Sequence, residues 1–78
     1  MALKELVETI ARSLVDDPEG VEVSEIDGDK NSVIELKVAK DDIGKVIGKD
    51  GRTAQSIRTL LTAASMKAGR RAHLDIID

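Results

Sequence analysis

The fold can be predicted from one stretch of the sequence, Val46-Ile47-Gly48-Lys49-Asp50-Gly51-Arg52. Its two glycines lie three positions apart, between two segments with the pattern of helices. Glycine permits positive φ angles and the close approach of a ligand. A helix that begins after Gly51 has free N–H groups and a positive dipole end, which suit a phosphate. Lys49 and Arg52 add positive charge at the same place, so the stretch predicts a helix–helix turn able to hold a phosphate chain.

The residues after this turn predict a long helix and a final strand. The helix covers about residues 52–68, and Gly69 is a natural C-terminal stop. Its core-facing stripe is predicted to consist of Ala54, Ile57, Leu61 and Ala64. Residues 71–77 alternate as a strand does, with three side chains facing inward: Ala72, Leu74 and Ile76.

The residues before the turn predict a short helix, a hairpin and a first helix. Asp41 is the expected N-cap of a helix over about residues 42–47. Residues 21–26 and 33–38 alternate as strands around a turn cluster at 27–31, which predicts a hairpin. A first helix ends before Pro18, and its apolar residues recur at helical spacing: Leu3, Leu6, Val7, Ile10 and Leu14.

The predicted order of elements is therefore α-β-β-α-α-β, in one domain that spans all 78 residues. The fold class is α+β, with a three-stranded sheet covered by helices on one face. Two helices connect the second strand to the last one, and a crossover of that length allows the two strands to pair in parallel.

The composition excludes several classes of protein. The chain has no Cys, which rules out disulfides and thiolate metal sites. It has no Phe, Trp or Tyr, so the core must be aliphatic. No run of about 18 apolar residues is present, and the N-terminus lacks an apolar secretion core. A cytoplasmic protein without a membrane partner is the expectation.

The charge is distributed unevenly along the chain. Residues 1–44 contain 5 Lys/Arg and 12 Asp/Glu, whereas residues 45–78 contain 7 and 3. The basic excess begins inside the glycine stretch, although the total net charge is −3. Such asymmetry suggests one side that faces a polyanion and one that faces solvent, and ordinary surface charge is the alternative.

The order of elements, the length and the Ile-Gly-x-x-Gly turn together resemble the K-homology (KH) domain in its type II arrangement. Residues 44–53, followed by Ile57-Arg58-Thr59-Leu60-Leu61, are similar to the small bacterial single-KH proteins of the KhpA (YlqC) family. The resemblance covers nearly the whole chain. It implies a single-stranded RNA-binding protein, an RNA chaperone-like post-transcriptional regulator, whose loop clamps about four nucleotides.

The loop and the resemblance together indicate a set of RNA-contacting residues: Gly48, Lys49, Asp50, Gly51, Arg52, Lys45, Ile47, Arg58 and Arg71. The resemblance places the bases in a groove between the paired helices and the last strand. The apolar wall of this groove is expected from Ile43, Val46 and Ile47, and core packing is the alternative for each. Asp50 departs from a cationic loop and should repel phosphate. Ala54 is smaller than the aliphatic residue of many KH domains.

Two other nucleotide- or DNA-binding motifs fit less well. A P-loop needs four residues between its glycines and then Gly-Lys-Ser/Thr, whereas Gly44 and Gly48 have three between them and Asp50 follows Lys49. A helix-turn-helix DNA reader also joins two helices by a glycine turn, and the flanking strands disfavour it. An enzyme is not expected, because the single His73 has no nucleophile or ligand cluster around it. No cofactor, metal or small-molecule substrate is expected.

The second hypothesis is a protein-interaction module with weak or no nucleic-acid binding. Leu60 and Met66 lie off the apolar stripe of the long helix, and Leu60 is a candidate dimer contact. The resemblance implies a homodimer, or pairing with a larger KH-containing protein of the KhpB/Jag type. If RNA is bound, the absence of aromatic residues removes base stacking on side chains. Weak sequence preference and strong salt dependence are then expected.

Overall fold

The computed structural model describes residues 2–77. Its main elements are α1 (Leu3–Leu14), β1 (Glu22–Asp27), β2 (Asn31–Lys37), α2 (Ile43–Ile47), α3 (Arg52–Lys67) and β3 (Arg71–Ile77). Single 3-10 turns lie at Pro18–Gly20, Lys40–Asp42 and Lys49–Gly51. The predicted element order and the α+β class are confirmed.

The three strands form one mixed sheet in the order β1-β2-β3. In the centre of the sheet, Ile34 of β2 lies opposite Glu25 of antiparallel β1 and opposite Leu74 of parallel β3. The parallel pairing predicted for the last strand is thus confirmed. It follows from the crossover through α2 and α3, which is long enough to bring β3 back in the direction of β2.

The core lies between one face of the sheet and the three helices. Ile34 and Leu36 of β2 are fully buried, and each helix contributes side chains to the same cluster: Val7 and Ala11 from α1, Val46 from α2, and Ile57 and Leu61 from α3. The opposite face of the sheet is open, because Ile26 is 58% exposed and His73 is exposed. Helices therefore cover one face, as predicted, and the core is aliphatic.

Two local predictions are wrong. The fourth residue of the buried stripe of α3 is Ser65, which is 1% exposed, whereas Ala64 is half-buried. The Ser65 hydroxyl donates to the carbonyl of Thr62 at 3.0 Å, so its burial leaves no unsatisfied group. Asp41 is not the N-cap of α2, because Asp42 occupies that position and makes no side-chain cap hydrogen bond there.

Among residues 2–77, no helix combines the length and the apolar character needed to cross a membrane.

Candidate nucleic-acid interface

The loop between α2 and α3 has a backbone that turns through positive φ angles. Gly48 has φ 77° and Gly51 has φ 73°, and Asp50 between them has φ 57°. The Gly48 N–H donates to the carbonyl of Gly44 at 2.9 Å, and the Gly51 N–H donates to the carbonyl of Gly48 at 3.1 Å. These two bonds hold the loop as a defined turn. The turn predicted from the glycine spacing is therefore present at residues 48–51.

The two glycines are required for different reasons. A Cβ placed on Gly48 would lie 2.7 Å from the Cβ of Thr53 and 2.9 Å from its backbone nitrogen. A Cβ on Gly51 would meet nothing within 4 Å. Gly48 is therefore needed both for its φ angle and for close packing against α3. Gly51 is needed for its φ angle alone, and the space above it is open to a ligand.

The first turn of α3 has no side-chain cap, although the Arg52 N–H donates to the backbone carbonyl of Lys49. Gly51 precedes the helix and has no side chain to cap it, so the first N–H groups of α3 have no side-chain partner at the cap. The positive end of the helix dipole lies at the same place. Lys49 and Arg52 are exposed on either side of Gly51, and neither takes part in an ion pair within residues 2–77. The loop thus offers N–H donors and two unpaired cations to an anion.

Asp50 lies in the left-handed region, which non-glycine residues adopt rarely and Asp and Asn adopt most readily. The side chain is exposed at the tip of the loop. Its carboxylate therefore stands beside the two cations and reduces the positive field that a phosphate would experience.

Lys45 lies one turn before the loop and is held by two carboxylates. Its Nζ is 3.2 Å from Oδ2 of Asp16 and 3.5 Å from Oδ1 of Asp42. The hydrogen bond and charge of Asp16, together with those of Asp42, raise the pKa of Lys45 above its ordinary 10.5. Of the basic residues predicted to contact RNA, Lys45 is thus already paired within the protein.

Asp42 connects the start of α2 to the segment that follows α1. The side chain is 3% exposed, and its carboxylate accepts the backbone N–H groups of Asp16 at 3.2 Å and Asp17 at 3.1 Å. Burial by itself raises the pKa of Asp42, but these two bonds and the nearby Lys45 outweigh it, so the pKa lies below the ordinary 3.8. The sequence did not point to this residue, because its partners are 25 and 26 positions away.

A groove runs between α3 and the edge strand β3. One pocket in it is lined by Arg58, Leu61, Thr62, Ala72, His73 and Leu74. A second pocket continues it and is lined by Thr62, Ser65, Met66, Arg71, Ala72 and His73. The structure therefore brings the predicted residues Arg58 and Arg71 to one groove, beside the last strand.

The three apolar residues expected in the groove wall have different surroundings. Val46 is fully buried, so it belongs to the core. Ile47 is 36% exposed just before the loop, where it remains available to a base. Ile43 lines a different pocket with Lys37, Val38 and Lys40, which shares no lining residue with the α3–β3 groove. Ala54 is 3% exposed, and the helix packs closely there.

Leu60, the predicted dimer contact, is 53% exposed on α3. Met66 is 70% exposed on the same helix. Six positions at 3.6 residues per turn place the two side chains about 120° apart around the helix. The two side chains therefore point in different directions. Met66 lines the groove beside β3 and also a pocket on α3 with Thr59 and Ala63.

Within residues 2–77, no three His, Cys, Asp or Glu side chains are grouped so that they could hold a metal ion.

Comparisons with known proteins identify relatives over nearly the whole chain. The family model described as KhpA/KhpB, KH domain matches residues 4–76. A protein of Caldanaerobacter subterraneus subsp. tengcongensis named RNA-binding protein KhpA is 59% identical over 73 residues, which are 94% of this chain and 97% of that protein. A protein of the same name from Aquifex aeolicus is 51% identical over 77 residues, which are 99% of this chain and 98% of that protein.

Solved structures of Era have a similar fold. One is Era in complex with MgGDPNP and nucleotides 1506–1542 of 16S ribosomal RNA, with a TM-score of 0.65 and 23% identity. The match covers 95% of this chain and only 28% of that chain. Aquifex aeolicus Era bound to GDP.AlF4- matches with a TM-score of 0.64, again at 23% identity, over 95% of this chain and 29% of that chain. At this identity the likeness concerns the fold alone.

Proposed function

The chain belongs to the KhpA/KhpB family of KH domains, and on this basis we propose that it binds single-stranded RNA and clamps the RNA backbone with the loop at residues 48–51. The observation that carries the proposal is the backbone of this loop. Two positive-φ glycines bring an uncapped helix N-terminus to the surface between Lys49 and Arg52. The relatives that carry the name RNA-binding protein KhpA support the same ligand class.

The loop recognises the strand through its phosphates. A phosphate oxygen above Gly51 accepts from N–H groups of the first turn of α3 that follow Arg52, while Lys49 and Arg52 neutralise its charge. The open space at Gly51 allows the RNA backbone to approach closely. The bases then lie against Ile47 and along the groove between α3 and β3, where Arg58 is exposed. Lys45 does not contact the phosphate directly, because its ammonium group is already paired with Asp16 and Asp42.

The chemistry of this surface predicts modest affinity and weak sequence preference. With no aromatic residue in the chain, the protein cannot gain the roughly 1–3 kcal/mol per base that stacking on aromatic side chains supplies. Phosphate contacts dominate, so affinity falls steeply with salt. A binder of this kind acts on many transcripts, which fits an RNA chaperone-like post-transcriptional regulator in the cytoplasm.

The family consists of RNA-binding proteins and not of enzymes, which confirms the expectation that the chain is not an enzyme.

The experiment that tests the proposal is the substitution Lys49→Asp with Arg52 kept. Lys49 is exposed in the loop, so the fold should survive while binding of a single-stranded RNA falls. Lys4→Asp on α1 is the matched control, because it makes the same charge change on an exposed residue of another element. Unchanged RNA binding by the Lys49 variant would contradict the proposed role of the loop.

The same sequence is then offered as single-stranded RNA, single-stranded DNA and duplex DNA. Preference for single strands is the expected result. A preference for duplex DNA would favour a helix-turn-helix mode of binding instead.

A second candidate function is self-association, or pairing with a larger KH-containing protein of the KhpB/Jag type. The observation that favours it is Leu60, a leucine that is 53% exposed in the middle of a long helix. Leu60 lies away from the side of α3 that carries Met66 and faces β3, so one molecule has room to bind RNA and a protein partner together.

A further inference from the structure

A second group of basic residues lies at the end of the molecule opposite the loop. Lys30 of the β1–β2 turn, Arg70 and Arg71 line an open pocket of about 520 Å³ together with Asn31, Met66 and Gly69. Only Arg71 among these was predicted from the sequence to contact RNA. The residues come from three parts of the chain. Two of these parts are joined by a hydrogen bond in which the backbone N–H of Arg71 donates to the carbonyl of Lys30 at 3.1 Å.

Arg70 has a structural role in this pocket. Its guanidinium forms an ion pair with Asp27 and donates to the hydroxyl of Ser32 at 2.6 Å. Ser32 is fully buried and also donates to Asp27 at 3.1 Å. These bonds hold the start of β3 against the hairpin, and they pair the Asp27 carboxylate with a cation.

Lys30 and Arg71 remain free to bind a ligand. Both side chains are exposed, and neither takes part in an ion pair within residues 2–77. Lys67, in the last turn of α3, adds a third exposed cation nearby in the sequence, and Asp29 in the hairpin turn is the neighbouring acidic residue. The exposed Met66 provides an apolar surface between these charges and the groove.

The pocket is continuous with the groove between α3 and β3. It shares Met66 and Arg71 with the middle pocket of the groove. The middle pocket in turn shares Thr62, Ala72 and His73 with the pocket that contains Arg58. Three pockets that share lining residues thus follow one another from Arg58 to Lys30, and Arg58, Arg71 and Lys30 are among the residues that line them.

We propose that Lys30 and Arg71 form a second phosphate-binding point, so that one RNA strand held at the loop continues along the α3–β3 groove to the β1–β2 turn. The inference rests on the proposed RNA binding by the loop and extends it. An RNA strand is the occupant that fits, because the successive pockets are lined by the cations Arg58, Arg71 and Lys30 and by the exposed apolar Met66.

The distance between the two points sets the length of RNA required. The 16 residues of α3 rise by about 1.5 Å each, so the loop and the far pocket are about 24 Å apart. A stacked strand has one phosphate per about 3.4 Å, so about seven nucleotides span this distance, and an extended strand needs fewer. A stacked tetranucleotide bound at the loop spans about 14 Å and stops short of Lys30, whereas a stacked decanucleotide spans about 34 Å.

The test compares a uridine tetranucleotide with a uridine decanucleotide, using the full chain and the double variant Lys30→Gln/Arg71→Gln. The variant should leave tetranucleotide binding unchanged and weaken decanucleotide binding. Loss of two phosphate contacts should reduce the slope of log affinity against log salt concentration by about 1.4 for the decanucleotide. This lower salt slope corresponds to about sevenfold less change in affinity between about 50 and 200 mM salt. The matched control is Lys4→Gln/Arg12→Gln, which removes two charges from α1.

The outcomes separate this inference from the proposed function. Equal weakening of both oligonucleotides would overturn the second binding point, because charges about 24 Å apart are screened at a Debye length of about 10 Å. Unchanged decanucleotide binding by the double variant would also overturn the second binding point. The proposed role of the loop would still be supported in that case if the Lys49→Asp variant lost RNA binding. If neither oligonucleotide bound the wild-type chain, both proposals would be wrong. Circular dichroism of each variant checks that the fold is retained.

Discussion

Gly48 and Thr53 are packed so closely across the loop that a Cβ on Gly48 would lie 2.7 Å from the Cβ of Thr53. The contact joins the end of α2 to the first turn of α3. It fixes the angle at which the N-terminus of α3 emerges beside Lys49. The geometry of the loop therefore depends on the absence of a side chain at one position.

Gly48→Ala should destabilise the protein. The new methyl group meets backbone and side-chain atoms of Thr53, and alanine at φ 77° is strained. Strain of this kind costs about 1–3 kcal/mol, which urea unfolding measures directly. Gly44→Ala is the control, because a Cβ there meets nothing within 4 Å and helix interiors favour alanine by about 0.5–1 kcal/mol. Equal stability of the two variants would contradict the argument.

The sequence predicted the features that depend on near neighbours. Alternation identified β2 and β3, and helical spacing identified most of the buried side chains of α3. On α1 the spacing identified the buried Val7, but it missed the buried Ala11 and included Leu14, which is 38% exposed. The glycine spacing located the loop. Each of these signals is local, because strand and helix periodicity act over a few residues.

The features that the sequence did not predict depend on residues far apart in the chain. Asp42 bonds to residues 25 and 26 positions away, and Arg70 reaches Asp27 and Ser32 over 43 and 38 positions. No periodicity encodes such pairs. Lys45 was assigned to RNA for the same reason, since its carboxylate partner Asp16 is visible only in the folded chain.

Asp50→Asn should strengthen RNA binding. Asparagine adopts the left-handed region as readily as aspartate, so the loop keeps its shape while the negative charge beside Lys49 and Arg52 is removed. An increase in affinity of about two- to fivefold is expected from interactions between exposed charges, and it should shrink as salt is raised.

Fluorescence anisotropy with a single-stranded RNA measures the effect of Asp50→Asn. Glu22→Gln, on an exposed residue of β1, is the charge-matched control. Unchanged affinity in the Asp50 variant would show that phosphate does not approach the loop tip.

Asp42 and Lys45 should make the free energy of unfolding depend on pH, Asp42 in the acid range and Lys45 in the alkaline range. The folded pKa of Asp42 is below 3.8, so its contribution is present above that pH and is lost as the pH falls through the folded pKa. The folded pKa of Lys45 is above 10.5, so its contribution is present below 10.5 and is lost as the pH rises through the folded pKa.

Asp42→Asn should therefore lower stability at neutral pH and flatten the acid limb below about pH 4. Asp41→Asn, on the exposed neighbouring residue, should change neither. Urea unfolding at several pH values compares the two variants. If both had the same acid limb as the wild type, the bonds from Asp42 to Asp16 and Asp17 would not stabilise the fold.

Lys45→Gln should affect stability more than RNA binding, and Lys49→Gln should do the reverse. Lys45 is paired with two carboxylates, whereas Lys49 is unpaired within residues 2–77. Loss of one phosphate contact should lower the salt slope by about 0.7 for a single strand. This change is expected for the Lys49 variant only. Equal slopes for the two variants would mean that Lys45 exchanges its carboxylate partners for phosphate when RNA binds.

Leu60→Asp should weaken self-association while the fold is retained. Leu60 is already 53% exposed in the isolated chain, so a charge there costs little in the monomer. In a dimer that buries Leu60, the same charge would lose its hydration without a partner, which is strongly unfavourable. Sedimentation equilibrium should show a dimeric wild type and a lighter variant.

Met66→Asp is the control for that experiment. Met66 is even more exposed than Leu60, but it lies about 120° away around the same helix and faces the groove beside β3. A dimer formed through the Leu60 surface should survive this change, whereas decanucleotide binding should weaken. If Met66→Asp dissociated the dimer and Leu60→Asp did not, the groove itself would be the interface, and RNA and a second copy would compete for it. An unchanged mass in both variants would exclude either side of α3 as the dimer contact.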